Sequence, residues 1–230
     1  MRIVFIALLI AVTASAWATP IPGSTNELVN WNFENPPYDG APWVRGQWIA
    51  IQTADPAHGY AAKCINPYDP TGLWMFQIVD DKLNPLWRED GVAKIIDLMA
   101  DIRVMGDHAD SSVTFRLGWW DSKEPPMPTV PIQGGMPVFP TTGFGWTEPR
   151  VCGFAEPGKW YTVNPFDRIV LPDQPRWIVV LVEYNQAQGE AIWVDNLILT
   201  GECIPEPSSL GVLFVGLVSA LGVARMRIRK

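Results

Sequence analysis

The chain has 230 residues and a formal net charge of −7. With Arg2, Arg225, Arg227, Arg229, Lys230 and Glu206 set aside as belonging to the two ends, residues 19–203 keep 12 of the 17 cations and 23 of the 24 acids, a balance near −11. A surface of that sign repels phosphate backbones and excludes nucleic acid as a partner; it suits an exported soluble protein and attracts divalent cations.

Met1 to Ala18 has the layout of a secretory signal peptide. Arg2 is the positive end, Ile3 to Val12 the apolar stretch, and Ala16-Trp17-Ala18 places small residues where signal peptidase reads them, so cleavage before Thr19 is expected after export by the Sec machinery. Residues 19–203 are then one domain, long enough to bury a substantial core.

Strands dominate that domain. Ala93 to Val104 alternates, with Ile96, Leu98, Ala100, Ile102 and Val104 on one face and Asp97, Asp101 and Arg103 on the other. Ser112 to Trp120 alternates in the same way, with Val113, Phe115, Leu117 and Trp119 together. Arg176 to Tyr184 and Ala191 to Leu199 are rich in β-branched residues and tryptophan, and Leu73 to Val79 and Trp160 to Val163 are shorter candidates. Breakers such as Asp69-Pro70-Thr71-Gly72 and Gln188-Gly189 separate them. With no long amphipathic helix between these strands, the expected fold is all-β, an antiparallel sandwich. Asp121 to Gly158 stands apart: it holds eight prolines, which remove donors from sheet ladders, and reads as a long irregular excursion containing Phe144 and Trp146.

Cys64, Cys152 and Cys203 allow one disulfide and one free thiol, with the pairing open. Their spacing, with only His58 and His108 to help, makes no zinc pattern.

The chain closes with Pro205-Glu206-Pro207, then an uncharged apolar run from Leu210 to Ala224, then Arg225, Arg227, Arg229 and Lys230. The run has 15 residues. As a helix it is about 22 Å long, at the short limit for a hydrocarbon layer of about 30 Å. Pro207 blocks its extension backwards, and the cations hold the end in the cytoplasm, so the domain lies outside. These 27 residues, 204–230, resemble the PEP-CTERM sorting signal of Gram-negative bacteria. That resemblance implies processing by the membrane protease exosortase. It implies a protein first anchored in the inner membrane and then delivered to the cell surface or extracellular matrix.

A second resemblance concerns the domain. Leu28-Val29-Asn30-Trp31-Asn32-Phe33-Glu34 is similar to the opening strand of the galactose-binding-like jelly roll, a fold shared by many carbohydrate-binding modules. Ala191 to Leu199, with Trp193-Val194-Asp195-Asn196-Leu197, resembles its closing strand, and Trp160-Tyr161-Thr162-Val163 resembles the tryptophan strand that precedes the last hairpin. The resemblance implies that opening and closing strands lie side by side and share one structural calcium, with Glu34 and Asp195 as its carboxylate ligands. Calcium takes such hard oxygens. Ordinary polar residues at strand ends are the other reading of the pair.

Sugar rings stack on flat aromatic side chains while polar groups set their orientation. Alternation through Val113, Phe115 and Leu117 sends Trp119 to the core and Trp120 to the opposite face, exposed at the strand end where the excursion begins. Trp120 and Trp146 are therefore the candidate ligand platform, and Trp177 and Trp193 are assigned to the core, where tryptophan more often lies. For catalysis, the adjacent pairs Asp80-Asp81 and Glu89-Asp90 read as solvated turns, and no Gly-x-Ser-x-Gly elbow or phosphate-cradling loop is present. The expectation is a non-catalytic, envelope-sorted sandwich that binds glycan or associates with extracellular polysaccharide. The alternatives are a structural surface protein without a specific ligand and, behind it, a polysaccharide hydrolase.

Overall fold

The computed structural model describes residues 26–35, 42–64, 72–80, 94–105, 111–120, 129–171, 177–185 and 191–203. The leader expected at 1–18, the expected sorting tail with Pro205-Glu206-Pro207, His108 and the Glu89-Asp90 pair lie outside the described residues. No helix among the described residues is long and apolar enough to cross a membrane.

The described strands are β1 (Val44–Arg45), β2 (Trp48–Gln52), β3 (Tyr60–Cys64), β4 (Trp74–Asp80), β5 (Lys94–Met105), β6 (Ser112–Trp120), β7 (Ile132–Gln133), β8 (Met136–Pro137), β9 (Phe144–Trp146), β10 (Arg150–Gly153), β11 (Trp160–Val170), β12 (Trp177–Asn185) and β13 (Ala191–Cys203). One sheet runs β1-β4-β12-β6-β10, with β9 also on β6; the other runs β11-β5-β13-β3-β2; β7 and β8 form a small separate ladder. The pairings among the described strands are antiparallel. The two larger sheets face each other across one apolar layer, so the chain forms an all-β antiparallel sandwich.

Alternation in the sequence makes this layer. Ile96, Leu98, Ala100, Ile102 and Val104 of β5 and Ile192, Val194 and Leu199 of β13 meet Val113, Phe115, Leu117 and Trp119 of β6 and Ile178, Val180, Val182 and Tyr184 of β12. β6 pairs with β12 residue for residue from Ser112 to Trp120 without a bulge, so the period of two carries through both tryptophans.

Several elements differ from the sequence reading. The stretch 28–34 is a series of turns and not a strand, because Asn30 (φ 50°) and Phe33 (φ 57°) adopt left-handed conformations that break extension. It still runs beside the closing strand: Glu27 N donates to Leu199 O, Leu197 N to Trp31 O, and Asn26 Nδ2 to Leu197 O. Gln77 pins it from the other sheet, accepting from Val29 N (2.8 Å) and donating to Val29 O (2.9 Å). The short strands β1, β2 and β3 were not legible. The excursion from 121 to 158 is less irregular than expected, since β7 to β10 lie within it and two of them extend the six-stranded sheet. The last two strands do not form a hairpin: β12 and β13 belong to opposite sheets.

Candidate functional site

Two places gather side chains that a plain sandwich does not require. The first is the turn between β2 and β3. Thr53 and Asp55 close it, with Thr53 Oγ1 donating to Asp55 O and His58 N donating to Asp55 O. Glu34 reaches this turn from the opening segment, its Oε1 accepting from Tyr60 N at 2.5 Å. Gly59 makes room for it: a Cβ there would lie 1.9 Å from Glu34 Oε1. Asp195 reaches the same turn from β13, where the register with β5 shifts after Asp195 and Asn196 takes φ 48°. Its Oδ2 lies 2.9 Å from His58 Nδ1. His58 is stacked on Trp160, ring centroids 3.9 Å apart.

The family resemblance pairs Glu34 with Asp195, and the fold brings both to the turn at 53–59 that joins β2 to β3. Asp101 stands next to them, 3.9 Å from His58 Nδ1, and is held by Asn196 Nδ2 (2.8 Å) and Thr162 Oγ1 (2.6 Å). Asp195 is almost fully buried, and its Oδ1 has no hydrogen-bond partner among the described residues. Burial pushes its carboxyl from 3.8 up to about 7; the His58 hydrogen bond and the Asn196 backbone oppose the shift, and the charge of Asp101 adds to it. An orphaned buried carboxylate oxygen beside a second carboxylate is compatible with a hard cation. Among the described residues no cluster of three or more His, Cys, Asp and Glu side chains is arranged to hold a metal, so backbone oxygens would have to supply the rest of a calcium shell. Nothing local in the sequence points His58 at Asp195, 137 positions away.

The second place is the outer face of the six-stranded sheet. Register defines its rows: Trp177 beside Trp120 beside Phe144, Val179 beside Gly118 beside Trp146, and Phe76 beside Leu181 beside Arg116. Trp74, Phe76, Trp120, Trp177, Val179 and Leu181 form a buried cluster of their own, separate from the inter-sheet core. Val130, Phe139, Phe144 and Trp146 of the excursion pack onto it.

The exposure expected for Trp120 is therefore overturned. Trp120 does lie on the face opposite Trp119, but it is 5% exposed and Trp119 7%. The excursion folds back over this face, and the Phe144 ring sits 4.3 Å from that of Trp120. Trp146 is half-buried and touches Phe139 and Phe144 edge-on. The structure brings the two candidate platform residues into one cluster, but not as an open platform. Trp177 is buried, though in this outer cluster and not between the sheets; Trp193 is half-buried, with Lys63 Nζ 5.1 Å over its ring.

Beyond the aromatic rows the same face turns polar. Arg116 Nε lies 3.5 Å from Glu183 Oε2, and Asn185 Nδ2 donates to Thr114 Oγ1 and to Ser112 Oγ. Burial raises the Glu183 carboxyl above its usual range, and Arg116 works against that shift. No motif in the sequence marks this strip. Its signal was present, because Arg116 follows the alternation of Trp120, and Glu183 and Asn185 that of Trp177.

No protein-family model matches the chain, and no curated protein matches it. Solved structures do. TmCBM61 in complex with β-1,4-galactotriose is similar at 14% identity and a TM-score of 0.40, over 78% of this chain and all of that one. The C-terminal family 22 carbohydrate-binding module of Clostridium thermocellum Xyn10B is similar at 13% identity and a TM-score of 0.43, over 78% of this chain and 96% of that one. The Stig cyclase Fisc from Fischerella sp. TAU is similar at 12% identity and a TM-score of 0.46, over 80% of this chain and all of that one. Binding modules and an enzyme thus stand side by side among the similar structures, at identities that carry nothing about the ligand of this chain.

Proposed function

We propose that this chain is an exported, envelope-sorted, non-catalytic β-sandwich that binds glycan and acts in the extracellular polysaccharide matrix. The observation that carries the reading is the outer face of the six-stranded sheet. Four aromatic rings, Trp74, Phe76, Trp120 and Trp177, lie there away from the inter-sheet core, edged by Arg116, Glu183, Asn185 and Thr114. One face of an antiparallel sheet normally meets water and is polar. Flat rings beside hydrogen-bonding groups of both signs are what a neutral sugar ring needs. Trp146 belongs to the rim of this site and Trp120 to its floor.

Export and sorting rest on the leader and on Pro205-Glu206-Pro207 with its apolar and basic sequel. Glu34 and Asp195 would hold one structural calcium at the β2–β3 turn, tying the opening segment to the closing strand, and an ion there would offset the charge of the buried Asp195.

The purified full chain on a glycan array tests the function. Retention on a defined set of glycans is the expected result. Retention on none leaves the second reading, a structural surface protein, which the covering of the aromatic face by the excursion favours.

A further inference from the structure

We propose that residues 129–143 form an intramolecular cover over the aromatic floor, with Phe139 seated where a sugar ring would stack, and that ligand binding displaces it. This rests on the glycan-binding reading and adds a closed and an open state to it.

The cover's contacts are of the kind a sugar would replace. The Phe139 ring is parallel to Phe144 within 7°, centroids 5.5 Å apart, and meets Phe76 and Trp146 edge-on at 5.4 and 4.8 Å. It is a flat, half-buried ring lying parallel to Phe144 and against the edges of Phe76 and Trp146, so it fills the space among these aromatic side chains that a ligand ring would take.

Its fastening is light. Residues 129–143 contain no charged side chain, and Pro131, Pro137 and Pro140 deprive it of three backbone donors, so it cannot be knitted into the sheet beneath. Within itself it is closed by the β7–β8 ladder and by Val138 N donating to Pro131 O. To the floor it offers Gly135 O, which accepts from Trp74 Nε1 at 2.8 Å. Its outer side, Ile132, Met136 and Val138, is exposed, so it is a single layer with nothing packed above it among the described residues.

The floor also holds a donor without a partner among the described residues. Trp177 is 2% exposed, and none of those residues accepts from its Nε1. A buried unpaired donor is costly, and a ligand hydroxyl entering when the cover lifts would satisfy it. The same motion frees Trp74 Nε1 from Gly135 O. The register of β4 with β12 sets Trp74 beside Glu183 and Trp177 beside Asp80, so the two indoles stand at opposite ends of the floor.

The test uses the purified full chain, titrated with xylo-, cello- and β-1,4-galacto-oligosaccharides. Phe139→Ala removes the seated ring, and Trp177→Phe removes the indole donor while keeping an aromatic ring. Hydrogen exchange of peptides covering 129–143 is followed with and without saturating oligosaccharide. We expect Phe139→Ala to bind about tenfold more tightly than the unmodified chain, because a ligand no longer has to select a minor open state. We expect Trp177→Phe to bind more weakly, and exchange in 129–143 to rise on binding. If the unmodified chain binds, Phe139→Ala binds no tighter and exchange stays unchanged or falls, the segment is a fixed wall; the cover is then wrong while the glycan reading stands. If neither the unmodified chain nor Phe139→Ala binds any of these sugars, both fall together. Should Phe139→Ala not fold, the exchange response of the unmodified chain decides alone.

Discussion

Trp119 and Trp120 are neighbours in the chain and end in different apolar clusters, one between the sheets and one outside them. Because both are buried, truncating either should cost about 3–5 kcal/mol, the usual range for a buried aromatic. Denaturant melts of Trp119→Ala and Trp120→Ala should therefore give similar losses. A Trp120→Ala variant close to wild type would show that the outer cluster is not a packed layer.

Asp195 makes the second residue-scale prediction. Its carboxyl is raised to about 7 by burial, from 3.8. The folded chain thus keeps a proton that the unfolded chain releases, and stability falls as pH rises between about 4 and 7, then levels off. Calcium needs the ionised carboxylate, so added calcium should raise the thermal midpoint more at pH 8 than at pH 5. Melts in chelator and in calcium across that range, with Glu34→Ala and Asp195→Ala as controls, measure it. A midpoint indifferent to calcium at every pH removes the ion and leaves the His58 contact as the tie for Asp195.

At the scale of elements, β6 and the excursion meet at Gly118. A Cβ there would lie 2.5 Å from Phe144 Cζ, 2.7 Å from Val179 Cγ1 and 2.9 Å from Trp146 Cζ3. Glycine is what lets β9 pair alongside β6 with the Phe144 and Trp146 rings close against the strand. Gly118→Ala should destabilise by about 1–3 kcal/mol through overpacking. It should also alter the near-ultraviolet circular dichroism of the aromatic cluster, since the rings must shift to admit the methyl group. Unchanged stability together with an unchanged aromatic spectrum would mean that the excursion does not rest on this strand. The opening segment is an element of another kind: it holds its place beside β13 by discrete hydrogen bonds from Asn26, Glu27 and Leu197 and through Gln77, without forming a strand.

For the whole molecule, the prediction concerns its two ends. N-terminal sequencing of the exported protein should begin at Thr19, and a start at Met1 would sink the leader. Replacing Pro205-Glu206-Pro207 by alanines, in a host with exosortase, should leave a membrane-retained form heavier than the processed wild type. Identical mass and fractionation would make the tail an ordinary anchor.

How much of this was legible follows from the range of the forces involved. Period-two alternation is local, so β4, β5, β6, β12 and β13, their inward faces and the sandwich itself could be read directly from Ile96 to Val104, Val113 to Trp119 and their partners. The opposite faces assigned to Trp119 and Trp120 follow from the same rule, and Glu34 and Asp195 were named from short motifs that the fold brings to one turn. What covers the outer face is not local. Residues 129–146 are rich in proline and glycine and carry no period that tells where they dock, so the burial of Trp120 was decided by a segment outside its own strand. Likewise His58 and Asp195, 137 positions apart, meet because β3 and β13 are neighbours in the sheet. The sequence by itself determined which residues face inward and what the ends resemble. Only the tertiary structure decided which side chains are covered and which charges share a buried turn, because burial and close electrostatic contact depend on distance in space.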